Sequence, residues 1–456
     1  MDQADAYSDD EAVVASLHSE AKKLETIEEY LLKQLGEVQH TRGSVISRAG
    51  NLINRRTYVS RLPDEILPRV FAYGDPTYTL ESLPSHVLAS HVSQRWRQVT
   101  LHDSSLWACI WRGQRTKGYP LGLLEAHLER SRTYPLHIIC GDESDAFFQA
   151  LVAHVDRWSS FGDSNLGDGY SRALLRLADL CAPALRSLSL TASVGRNLSR
   201  TILADGAPVL SSLIVSGGLL SEVHISFTSL TVLRIIEGGT LGVIQDALAH
   251  LPSLQTLVFG QFGSFEDRRD APVNMPSLTT LEIGWAMSND EPDSLPVLFS
   301  AIQTPRLEAL ILSYVDDAQV EPFEAWLHSG SSPRFPCLHS LTLEHVPATS
   351  KLVRAFPGVK HVVLYTNPHN DCCSVLETWL QPAAGDSGDP WPMLQSIAIK
   401  ARYHIQPYDP SHFVASRSAA GRPLQKLLMD LRVLPGEDVI RGLKDHVQFE
   451  ELLPDV

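Results

Sequence analysis

Apolar positions along this chain fall into three successive patterns. Over residues 11 to about 55, Leu17, Leu24, Leu31, Val38, Val45 and Leu52 recur at a strict spacing of seven, which predicts a helix with one apolar seam. Its companion seam is mixed: Ile27 is apolar, whereas Glu20, Gln34, Thr41 and Arg48 are polar. Gly36, Gly43 and Gly50 weaken the second half by about 1 kcal/mol each relative to alanine. Two readings stand: a coiled-coil dimer over Leu17 to Leu35, or one amphipathic helix lying on its own chain or frayed in solvent. Residues 60–112 carry a denser pattern. Leu62-Pro63-Asp64-Glu65 reads as a helix start, with proline and two acids in the first turn. Ile66, Leu67, Val70 and Phe71 continue it as an apolar stripe, and Leu88, Val92, Trp96 and Val99 form a second one. Stripes of that size must be buried against each other and against something else.

The third pattern is a repeat. Between residues 183 and 430 the line L-x-x-L-x-L recurs ten times, with starts 20 to 35 residues apart and usually a proline two residues ahead of the first apolar position. It reads P-A-L-R-S-L-S-L from Pro183, P-S-L-Q-T-L-V-F from Pro252 and P-R-L-E-A-L-I-L from Pro305, with looser copies at Pro208, Thr228, Pro357 and Arg422. The last three apolar positions alternate, which is strand periodicity. A supersecondary unit repeated at this period predicts a stacked solenoid with one strand per unit in a parallel sheet, its leucine side covered by helices such as I-Q-D-A-L-A-H-L at 244–251. The stretch before it, from Leu121 to about Leu180, reads as helices, a short strand P-L-H-I-I-C and a loop, together a cap or first irregular repeat.

The side chain between the last two apolar positions of each unit points away from the leucine side. In turn these are Ser189, Ile214, Arg234, Val258, Glu282, Ile311, Thr342, Val363, Ala398 and Leu428, five of them large and aliphatic. Either this face is covered as well, as in many parallel sheets, or it is an interaction groove with an apolar floor. The groove reading makes Ile214, Arg234, Val258, Glu282, Ile311 and Val363 candidate target-binding residues. It requires Ile214, Val258, Ile311 and Val363 to be solvent-accessible, flanked by Arg234, Glu282, Glu344 and Lys400.

Composition narrows the classes. The chain has 456 residues and a formal charge of −15, from 38 Lys and Arg against 53 Asp and Glu, with no concentrated basic patch, so no nucleic-acid partner is expected. Six cysteines with no C-x-x-C suggest neither a disulfide framework nor a thiolate zinc site. An acidic N-terminus and the absence of a run of about 18 apolar residues argue against a secretory signal and a membrane span. A soluble protein of the cytoplasm or nucleus is expected.

Catalytic chemistry finds little support. Gly385-Asp386-Ser387-Gly388-Asp389 has the letters of a protease nucleophile motif but lies in a Pro/Gly loop between two repeats. Asp163, Asn165 and Asp168 are spaced loosely like a calcium loop, but Leu174 stands where the bidentate glutamate belongs. His361, His369, Cys372 and Cys373 read as surface residues rather than a metal site. No P-loop, no G-x-G-x-x-G after a strand and no H-E-x-x-H occur. The expectation is a non-enzyme with no catalytic residues, no cofactor and no metal.

The run L-P-D-E-I-L-P-R-V-F at Leu62 to Phe71, with V-S-Q-R-W-R at Val92 to Arg97, resembles an F-box, and S-S-L-W at Ser104 to Trp107 is usual where the box leads into the next domain of fungal members. A heptad helix, an F-box and irregular leucine-rich repeats in this order resemble basidiomycete F-box proteins. The regular asparagine that follows each strand in such repeats is nearly absent, Asn367 excepted. The resemblance implies an α/β chain: an N-terminal helix and a three-helix F-box, followed by an irregular leucine-rich-repeat solenoid with a curved parallel sheet. It implies divisions at 1–58, 59–112, 113–182 and 183–456. It further implies docking on the Skp-type adaptor of a cullin ubiquitin ligase through Leu62, Pro63, Ile66, Leu67, Val70, Phe71, Leu88, Val92 and Trp96, with the repeats holding a target protein. A non-catalytic scaffold that engages no ubiquitin ligase is the alternative.

Overall fold

The computed structural model describes residues 3–54, 56–73, 84–111, 121–140, 144–163, 177, 180–190, 202–203, 206–220, 227–260, 265, 267–284, 293–330, 334–346, 352, 354–366, 376, 391–401 and 407–453. Asn165, Asp168, Asn367, His369, Cys372, Cys373 and the 385–389 loop lie outside these. The chain divides into two compact units, Met1–Leu106 and Trp107–Val456.

In the first unit, helix α1 (Gln3–Asn54) runs unbroken through all three glycines. Its six heptad residues are each 59–63% exposed, so no described residue of the first unit packs over the seam. Three short helices follow: α2 (Leu67–Tyr73), α3 (Ser85–Ser90) and α4 (Gln94–His102). The expected start at Leu62 is corrected to Leu67. Pro68 has no N–H to donate to the Asp64 carbonyl, so the ladder cannot extend further back. Ile66 instead donates to the Pro63 carbonyl at 3.1 Å, closing a turn ahead of the helix. The single stripe expected from Leu88 to Val99 is also corrected. It is cut in two because the Ser93 side chain accepts from the Trp96 backbone N–H at 3.2 Å and starts α4 afresh.

The second unit is built on a fourteen-stranded open parallel sheet. Ten strands correspond one to one with the L-x-x-L-x-L units: β4 (Ser187–Leu190), β5 (Ser212–Val215), β6 (Val232–Ile235), β7 (Thr256–Phe259), β9 (Thr280–Ile283), β11 (Ala309–Ser313), β12 (Ser340–Glu344), β13 (His361–Thr366), β14 (Ser396–Ala401) and β15 (Lys426–Asp430). Four more strands lie outside the repeat: β1 (Cys109–Trp111), β2 (Leu136–Cys140), β3 (Trp158–Asp163) and β16 (Gln448–Leu452). The sheet thus also runs through the stretch read as a cap or first irregular repeat, where the strand expected at P-L-H-I-I-C is β2. Leu136, Ile138 and Cys140 are buried while His137 and Ile139 are exposed, the same alternation without the leucine consensus. A minor pair, β8 (Val273–Asn274) with β10 (Ile302–Gln303), sits apart from the main sheet.

The recurrent proline has a mechanical role. In all eight units that carry it, the first leucine or valine closes a turn back to the residue before the proline, as in Leu185 to Ala182 at 3.1 Å and Leu254 to Leu251 at 3.2 Å. Proline thus stands at the second position of a β-turn, where its fixed φ favours the bend that launches the strand. The leucines then point to one side, where helices such as Leu241–Leu248, Ser294–Ala301 and Asp317–His328 join them in one continuous core. Close approach of neighbouring turns demands glycine at Gly217, because an added Cβ there would lie 2.1 Å from the Gly238 carbonyl oxygen.

Candidate functional site

The residues expected to bear on function lie on two surfaces, one in each unit. In the first, Leu67 and Phe71 face inward and are buried, and the Phe71 ring lies 4.9 Å from that of Trp96, joining α2 to α4. The Ser85 hydroxyl donates to the Phe71 carbonyl at 2.6 Å, tying the start of α3 to α2. These contacts fix which side of each short helix is left over. Ile66 (39% exposed) and Val70 (46%) lie one turn apart and face solvent, as do Leu88 (47%), Val92 (55%) and Pro63. Leu62 and Trp96 are half-buried. Of the nine expected docking residues, then, Leu67 and Phe71 hold the helices together, and five others present apolar surface to water.

One residue of this unit has no apolar signature and was not expected. The Arg95 guanidinium donates to the Asp64 carboxylate at 2.8 Å, to the Ser60 carbonyl at 2.6 Å and to the Leu62 carbonyl at 2.5 Å. It therefore clamps the segment that leads into α2 against the start of α4. The only trace in the sequence is a cation beside Trp96 and an acid 31 positions upstream, a separation that no local spacing rule reads.

In the second unit the away-facing residues form a true row. Register places Ser189, Ile214, Arg234, Val258, Glu282, Ile311, Thr342, Val363, Ala398 and Leu428 side by side on successive strands. Ile214, Ile311 and Val363 are half-buried, and Arg234 is exposed. The expectation of an accessible Val258 is corrected, for it is only 4% exposed. Arg234 and Glu282 flank it on either strand, and their charged ends approach to 4.0 Å. Glu344 is likewise no open flank. It is 4% exposed and accepts from the Ser313 hydroxyl at 3.2 Å. Lys400 is half-buried, with its ammonium 5.6 Å from the centre of the Tyr365 ring.

Histidines cluster near the start of the same strands. His361 contacts the Ser396 hydroxyl at 2.8 Å and its ring lies 6.2 Å from that of His339, which pairs with Glu308 at 3.5 Å. Burial, with help from His339 and Lys360, holds the His361 pKa below the ordinary histidine value. Among the described residues no group of three His, Cys, Asp or Glu is placed to hold a metal ion. Nor is any described helix long and apolar enough to cross a membrane.

A family model described as F-box-like matches residues 59–112. No curated protein matches the chain. The chain thus carries an F-box-like domain, and α2, α3 and α4 are its helices. Domains of this kind typically bind Skp-type adaptors and are typically not enzymes.

Proposed function

We propose that this protein is the substrate-recognition subunit of a Skp–cullin–F-box ubiquitin ligase. The observation that carries the reading is the outward apolar set of Ile66, Val70, Leu88 and Val92 inside the span that matches the F-box-like model. Four large aliphatic side chains exposed on such a small helical unit are costly in water and gain from a partner. Leu62, Pro63 and the edge of Trp96 complete the docking surface, with Leu67 and Phe71 supporting it from beneath. Residues 59–112 act as the docking module, and the repeats from 183 onward act as a leucine-rich-repeat receptor for the target protein.

The mechanism is proximity. A receptor that holds both adaptor and target raises the effective concentration of target lysines near the charged conjugating enzyme, and it needs no catalytic group of its own. On the repeat surface, Ile214, Ile311 and Val363 supply apolar contact, while Arg234 and Glu282 supply orientation. Val258 does not contact the target and serves as packing beneath those two charges. A pull-down of the purified full chain with purified Skp-type adaptor tests the reading. Capture of the adaptor at micromolar concentration is expected. Failure to capture it would leave the scaffold alternative in its place.

A further inference from the structure

Among the described residues, the longest succession of exposed large apolar side chains lies on α1. Beyond its heptad seam, Val14, Ile27, Leu32, Leu35 and Ile46 are all half exposed or more. The two heptad positions next to the seam hold four charges, and their placement is ordered. Glu20 and Arg48 occupy one heptad position, three residues beyond a seam residue; Glu28 and Arg42 occupy the next, four residues beyond. These positions flank the seam on opposite sides. On each side the acid lies in the first half of the helix and the base in the second, nearly equidistant from residues 34 and 35. The seam itself, from Leu17 to Leu52, has the same centre.

We infer that α1 pairs with α1 of a second copy of this chain, antiparallel, about a two-fold axis near Gln34 and Leu35. Such an axis keeps each flank facing the same flank of the partner copy and reverses chain direction. Glu20 then meets Arg48, and Glu28 meets Arg42, each pair occurring twice. Parallel pairing in register would instead keep both acids of one copy in the half that holds the acids of the other, and the bases likewise, so that no acid meets a base. The seam leucines and valines meet over a length of about 50 Å. Gly36, Gly43 and Gly50 all fall at one heptad position nearly opposite the seam, and the space around each is open. They lower helix propensity without removing any side chain from the interface.

Sedimentation velocity and light scattering on the full chain test this. A dimer is expected at micromolar concentration, and Leu24→Asp with Leu31→Asp should give a monomer whose second unit unfolds at an unchanged midpoint. Glu28→Arg alone, or Arg42→Glu alone, should weaken self-association about tenfold, since each turns both attractive contacts into repulsive ones. The two substitutions together should restore it. A wild-type monomer at tens of micromolar would overturn the inference, as would a trimer or a dimer that survives the double aspartate. Single charge reversals without effect would overturn the antiparallel arrangement. None of these readouts involves the adaptor, so the outcome is separate from that of the pull-down.

Discussion

Arg234 and Glu282 reach towards each other across Val258. Their strands are not neighbours: β7 lies between, so their backbones stand about 9.6 Å apart at the ordinary strand spacing. The charged groups nevertheless close to 4.0 Å and leave the valine 4% exposed. A half-exposed pair at that distance contributes at most about 1 kcal/mol. Its main effect is to bury an aliphatic side chain that an isolated strand would leave open.

Val258→Asp should therefore act on stability. A carboxylate placed there is desolvated and sits beside Glu282, and the expected loss is about 3 kcal/mol, read as a lower unfolding midpoint in denaturant. Ile311→Asp and Val363→Asp, at half-buried positions, should each cost less than half as much. On the receptor reading those two should reduce capture of the target, measured once a target is in hand.

Docking should separate from folding by burial. Ile66→Asp with Val70→Asp, both on the exposed side of α2, should abolish adaptor binding in the pull-down while leaving the far-ultraviolet circular dichroism unchanged. Leu67→Asp should lose binding by another route, because a charge forced into a fully buried site unfolds the small helical unit. Intact binding by the first variant would refute the assigned surface.

Arg95→Ala should destabilise the first unit by about 2 kcal/mol, since it removes three donor contacts and leaves the Ser60 and Leu62 carbonyls to water. Asp64→Asn should cost less, because both carbonyl contacts survive. Equal losses from the two would show that the ion pair alone matters, and hydrogen exchange of residues 60–66 reads the difference.

His127 supplies a pH dependence. Burial beside Trp107 lowers its pKa from the ordinary 6.5 to about 4, and the Arg130 cation adds to the shift in the same direction. The unfolded chain takes up the proton first as pH falls. Stability should accordingly decline between pH 6.5 and about 4, by about 3 kcal/mol in all, and this contribution should flatten below that. The difference in unfolding free energy between wild type and His127→Gln, followed over that range, isolates the imidazole from the carboxylates that titrate nearby in pH. A constant difference would show that the ring is not held neutral.

Sequence periodicity by itself determined a good deal. Alternation in L-x-x-L-x-L is a local property of the backbone, so ten parallel strands and their leucine side follow from it, and so does the order of the away-facing row. The same holds for α1, whose repeat of seven is local to one helix. Tertiary structure decided the rest. Strands β1, β3 and β16 pair because a neighbouring edge offers hydrogen bonds, and no consensus marks them in advance, whereas β2 was legible as a short strand. A cap at Ser93 and a missing donor at Pro68 reset two helices that apolar spacing alone would have joined or lengthened. The Arg95 clamp and the closure over Val258 depend on side chains that meet only once remote segments are side by side. Periodicity reports which face of an element is apolar; what covers that face is set by neighbours that the folded chain alone brings together.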